Sequence, residues 1–89
     1  MRVYMQIPAL DGKPPRFYQL ALQQDLLSGW NLIREWGQQG QAGRIKRDHF
    51  PDRESALDAL LRVRDIQIKR GYQVVFLKGM DKPGPAGPP

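Results

Sequence analysis

The chain of 89 residues contains no cysteine, which removes disulfides, thiolate nucleophiles and thiolate metal sites together and fits a reducing cytoplasm. Histidine occurs once, at His49, with no second histidine at the four-residue spacing of a helical metal pair. The plain reading of His49 is a strand or turn residue packing beside Phe50. The two serines, Ser28 and Ser55, stand in a turn and in a first helical turn, and neither has a nucleophile-elbow context. A chain this short buries only about 60% of the surface its unfolded form exposes, which leaves no volume for a deep, dry active site. No enzyme activity, metal or cofactor is therefore expected. No apolar run approaches the roughly 18 residues that span a bilayer. The opening stretch "MRVYMQIPALDGKPP" lacks the apolar block of a secretion signal. The expectation is a cytoplasmic protein with no membrane partner.

What the chain has in excess is positive charge. Fourteen Lys and Arg against nine Asp and Glu give +5, a balance that favours polyanions without specifying one. Residues 2–7, "RVYMQI", alternate Val3, Met5 and Ile7 with Arg2, Tyr4 and Gln6, the period of a half-buried strand. "PALDGKPP" breaks it, with Asp11-Gly12 as a turn dipeptide. Further strands are predicted over residues 16–23, 30–36, 44–50 and 72–77. Between the fourth and fifth, Asp52 is a candidate N-cap and Ala56, Leu57, Leu60, Leu61, Arg64 and Ile68 form the stripe of an amphipathic helix. Gly71 ends it, and Asp58–Arg62 and Asp65–Lys69 are spaced as ion pairs on its solvated side. From Lys78 a Pro/Gly-rich tail, residues 78–89, is expected to be disordered and to leave residues 1–77 as the single domain. The fold class that follows is α+β, a small antiparallel or mixed β-sheet of four to five strands with one long helix packed across one face.

The stretch "NLIREWGQQG" followed by "QAGRIKRDHF" carries the functional question. A phosphate-cradling loop would need Lys-Ser/Thr directly after its last glycine, and Arg44-Ile45 follow instead, so "GQQGQAG" reads as a hairpin turn. Strict alternation sets Trp36 on the face of Trp30 and Leu32, where core packing is ordinary, while Arg34 on that face argues for an exposed end. Both readings of Trp36 stay open. The basic run likewise reads either as a solvated edge blunted by charge or as a binding surface.

"RFYQLAL", then "IREWGQQG", then the helix start "ALDAL" resemble, in order and spacing, the WGR domain, a module named for a Trp-Gly-Arg motif. The family is known from poly(ADP-ribose) polymerases and from small bacterial proteins, and the resemblance covers residues 16–76. Trp36 and Gly37 match the first two motif residues, Arg34 a basic position before them, and Gly40 the glycine after them. Gln38 stands where the motif has arginine, Gln39 replaces the usual apolar residue, and Gln67 falls where a late-helix lysine is frequent. In the polymerases the module contacts DNA near a break, its tryptophan against a terminal sugar, and the arginine relays the signal to neighbouring domains. With Gln38 in that place, the resemblance implies polyanion contact rather than relay.

The expectation is a module that binds nucleic acid, DNA favoured over RNA and duplex ends conceivable, through Arg34, Trp36, Gly37, Gln38, Arg44, Lys46 and Arg47, mainly by phosphate contacts. The alternative is a protein-interaction module in which the sheet edge or the Trp36 surface docks a partner protein and the charge is incidental. The two differ in whether the four basic residues converge on Trp36.

Overall fold

The computed structural model describes residues 1–79. Its elements run β1 (Arg2–Ile7), β2 (Arg16–Gln24), β3 (Trp30–Gln38), β4 (Arg44–Phe50), α1 (Arg53–Lys69) and β5 (Gln73–Lys78). The strands form one five-stranded sheet in the order β4-β3-β2-β1-β5, with every neighbouring pair antiparallel. The fold is α+β, as the patterning implies. Three hairpin steps lay β1 to β4 side by side, and α1 returns the chain to the far side so that β5 docks on β1.

Period-2 alternation splits the sheet into two faces. Val3 pairs with Leu20, Met5 with Tyr18, and Leu22 with Leu32, and all six side chains are buried on the face that α1 covers. The helix lies over β2, β3 and β4 and adds Ala56 and Leu60, both fully buried, to the same cluster. Burying a side chain of this size is worth about 1.5–3 kcal/mol. The core is thus one layer thick, and whatever lies at its margins stays half in water.

Local chemistry sets the turns. Asp11 (φ 53) and Gly12 (φ 75) take left-handed backbone between Leu10 and Lys13, and the Lys13 N–H donates to the Leu10 carbonyl at 3.0 Å. This is the two-residue hairpin that an Asp-Gly pair favours. Between β2 and β3 the Asp25 carboxylate accepts from the Leu27 N–H at 2.9 Å and from the buried Asn31 amide at 3.1 Å. Those bonds hold its pKa below the ordinary carboxylate range, the Leu27 bond contributing most. His49 bonds through Nε2 to the Ser28 carbonyl at 2.8 Å and braces the same turn.

The helix ends are equally specific. Asp52 accepts from the Ser55 N–H at 2.8 Å, which caps the helix and lowers the Asp52 pKa. At the other end, Gly71 (φ 106) donates to the Ile68 carbonyl and Tyr72 donates to the Gln67 carbonyl, both at 3.0 Å. That pair of bonds is a Schellman motif. It turns the chain sharply and drives Tyr72 back into the core.

Three details depart from the sequence pattern. The fully buried line on α1 runs Ala56, Leu60 and Gln67, whereas Ile68 is exposed, so the stripe drifts one position from the apolar one. Asp65 pairs with its neighbour Arg64 at 2.9 Å rather than with Lys69. Lys78 closes β5, and the expected tail lies outside the described residues from position 80 onward.

Candidate nucleic-acid interface

The site is built where β3 ends over the carboxyl end of α1. Cross-strand register places Trp36 between Tyr18 on β2 and Arg44 on β4. The Trp36 and Tyr18 rings stack at 5.5 Å between centroids with 11° between planes. Tyr18 in turn meets Tyr72 edge-on at 5.8 Å and 75°. Such pairs contribute about 0.5–1.5 kcal/mol each beyond their buried area. Trp36 is therefore both things the alternation allowed. It packs against the core on Tyr18, and part of its surface remains open to solvent.

Basic side chains surround that opening. A hollow of about 410 Å³ is lined by Ile7, Arg16, Tyr18, Arg34, Trp36, Gln67, Arg70 and Tyr72. An adjoining one of about 490 Å³ is lined by Lys13, Arg16, Trp36, Gly37, Gln38 and Tyr72. Sharing Arg16, Trp36 and Tyr72, the two make one cleft with an aromatic wall. Arg16 arrives there because it opens β2 in phase with Tyr18 and Leu20, and Arg70 because it caps α1 just before the Schellman turn.

Arg34 is the most constrained of these cations. Its guanidinium sits 6.0 Å from the Trp36 ring centroid, and one terminal nitrogen bonds Asp48 at 3.2 Å. Its Nε is buried and finds no acceptor among the described residues. Among the described residues no carboxylate pairs with Lys13, Arg16, Arg44, Lys46 or Arg70.

Of the residues named from the sequence, Arg34, Trp36, Arg44 and Lys46 share the face of the cleft, since Lys46 pairs with Arg34 and Arg44 with Trp36. Gln38 pairs with Arg16 and lines the cleft. Arg47 pairs with Ile33 and points to the opposite face, where it borders a separate hollow beside Gln23 and Leu27. Gly37 has a structural reason of its own. A Cβ there would meet the Gly43 Cα at 3.0 Å, and one on Gly43 would meet the Trp36 carbonyl oxygen at 2.7 Å. What approaches the backbone closely at Gly37 is the chain itself, returning toward β4.

Lys13, Arg16, Arg70 and Tyr72 escaped the sequence reading. The phase of β2 contained a signal for Arg16, two residues before Tyr18. Nothing local signalled the others, which reach Trp36 only through the hairpin and the helix turn. Among the described residues no cluster of His, Cys, Asp and Glu could hold a metal ion. No helix among them is long and apolar enough to cross a membrane.

The molecule is thus a two-layer α+β domain, one helix across a five-stranded antiparallel sheet, with a cationic, aromatic-walled cleft at one sheet end. The chain is a member of the WGR domain family, whose pattern matches residues 1–76. The match takes in β1, the strand that the resemblance over residues 16–76 left out and that joins β5 to the rest of the sheet. Comparison with curated proteins and with solved structures found no match.

Proposed function

We propose that this domain binds nucleic acid, DNA in preference to RNA, by seating backbone phosphates in the cleft around Trp36 with a sugar or terminal base against the tryptophan. One observation carries the reading: Lys13 and Arg16 at the start of β2, Arg34 on β3 and Arg70 at the end of α1 converge on Trp36 from three separate parts of the chain. A solvated edge blunted by charge needs no such convergence. Arg44 and Lys46 extend the positive surface along the same face, across β4. Cations around an aromatic platform are the two parts that sequence-tolerant nucleic-acid binders combine. Base edges are not read in this scheme, so affinity follows charge and strand geometry rather than sequence.

Gln38 shapes the outcome. It contributes an amide to the cleft wall where family members carry an arginine, so it can hydrogen-bond a phosphate or sugar but adds no charge. Fluorescence anisotropy with a blunt duplex, a nicked duplex and a single strand, each at two salt concentrations, tests the proposal. The expected result is binding that weakens steeply with salt for all three. No binding of any of the three at low salt would refute it.

A further inference from the structure

The two edges of the sheet are built on opposite plans. The β4 edge carries Arg44, Lys46, Arg47 and Asp48 within seven residues, charges that discourage pairing with another chain. The β5 edge has the uninterrupted run Val74, Val75, Phe76 and Leu77, with exposures of 44%, 60%, 47% and 55%. Among the described residues β5 pairs with β1 alone, and none of them covers its outer row of N–H and C=O groups. Phe76 is also continuous with an aromatic strip on the uncovered sheet face, because it pairs with Tyr4, whose ring stacks on Phe17 at 6.3 Å. Of the other exposed large apolar side chains among the described residues, Leu10, Leu26 and Leu27 lie in the connections between strands, Ile45 stands singly among the charges of β4, and Ile66 and Ile68 lie on α1.

We propose that β5 is a self-association edge, on which two copies of this chain pair their β5 strands antiparallel about a two-fold axis and double the sheet. The edge is self-complementary in this orientation, and charge does not oppose it. Centring the pairing on the apolar run sets Lys78 of each copy against Gln73 of the other, so no like charges meet. The β4 edges, where the basic run lies, end about 43 Å apart, nine strand spacings of roughly 4.8 Å, well beyond a Debye length of about 10 Å at 0.1 M salt. A domain of net charge +5 thus associates through the edge farthest from that run.

One device on β5 limits the strength of the pairing. Val75 has no partner on β1 and is the extra residue of a bulge between the pairs Tyr4–Phe76 and Met5–Val74. A bulge sharpens strand twist and confines added pairing to a short ladder. The dimer is accordingly weak and dependent on concentration. Its formation is independent of whether the Trp36 cleft binds nucleic acid.

Sedimentation of the nucleic-acid-free chain over a concentration series at about 1 M salt, where the Debye length is about 3 Å and charge-bridged association is screened, tests the proposal. The weight-average mass should climb from one chain's 10.2 kDa toward twice that value. Val75→Lys alters an exposed side chain and brings two lysines together across the axis. Compared with the parent at about 0.1 M salt, where the Debye length is about 10 Å and the two lysines still repel, it should weaken dimerisation by roughly a hundredfold or more, as expected when like charges meet at an interface, with an unchanged thermal midpoint at low concentration. Leu77→Lys provides the same test at a site away from the bulge, and Leu27→Lys should leave the dimer intact. A chain that stays monomeric throughout overturns the proposal, as does a dimer that survives both β5 variants or is lost with Leu27→Lys.

Discussion

The proposed DNA binding has a salt dependence that follows from the cleft. Six basic side chains surround Trp36 or share its face: Lys13, Arg16, Arg34, Arg44, Lys46 and Arg70. Arg34 is already neutralised by Asp48 at 3.2 Å, which leaves five to displace counterions. At about 0.9 per phosphate contact on duplex DNA, the plot of log K against log salt should have a slope near −4.5, so that raising salt from about 50 to 200 mM costs roughly 500-fold in affinity. Replacing Arg16 and Arg70 together by glutamine should reduce the slope to about −2.7 and the loss to roughly 40-fold. Arg47→Gln, on the opposite face, should leave the slope of the parent domain unchanged. The assay is anisotropy of a labelled blunt duplex titrated at four or more salt concentrations. A slope change of about 0.9 for Arg47→Gln, half the roughly 1.8 for the Arg16 and Arg70 pair, would mean that net charge alone drives binding, and the cleft would lose its role.

Three further outcomes follow from the packing. Leu60 is fully buried under the middle of α1, so Leu60→Ala should cost about 2–5 kcal/mol in denaturant unfolding; an unchanged midpoint would place the helix face wrongly. Gly29 has φ 80, and a Cβ on it would lie 2.4 Å from the Phe50 carbonyl oxygen. Gly29→Ala should therefore lose more than the roughly 1–2 kcal/mol of left-handed strain alone, measured by thermal melting, and a loss smaller than that would mean the turn relaxes. Asp25 and Asp52 both have folded-state pKa values below the ordinary range, through bonds from the Leu27 and Ser55 N–H groups respectively. Their contribution to stability is present above the unfolded value of about 4 and is lost as pH falls through the lower folded values. Acid melts of the double Asn variant should show a smaller loss across that window than the parent, and an identical loss would assign the acid sensitivity elsewhere.

Sequence alone carried the elements of this fold because their causes are local. Alternation in "RVYMQI" and "RFYQLAL", the Asp-Gly turn, the Asp52 cap and Gly71 after the last helical turn each act within a few residues. Trp36-Gly37 was legible as a motif for the same reason, being contiguous. Ala56 and Leu60 on the apolar stripe are buried as patterned, and only its last turn departs, because polar Gln67 rather than Ile68 occupies the buried line once α1 docks on the sheet.

Register and topology settled the rest. A strand's phase tells that Arg44 and Arg47 face opposite sides, but pairing decides that Arg44 is the one beside Trp36. Pairing also decides that Gly37 makes room for Gly43. Arg16, Arg70 and Tyr72 are distant in sequence from Trp36 and meet it because β2 lies beside β3 and the Schellman turn returns the chain to Tyr18. Composition fixed the amount of positive charge, and tertiary structure decided where it is concentrated, because the cleft draws its cations from segments that only long-range strand pairing and helix docking bring together.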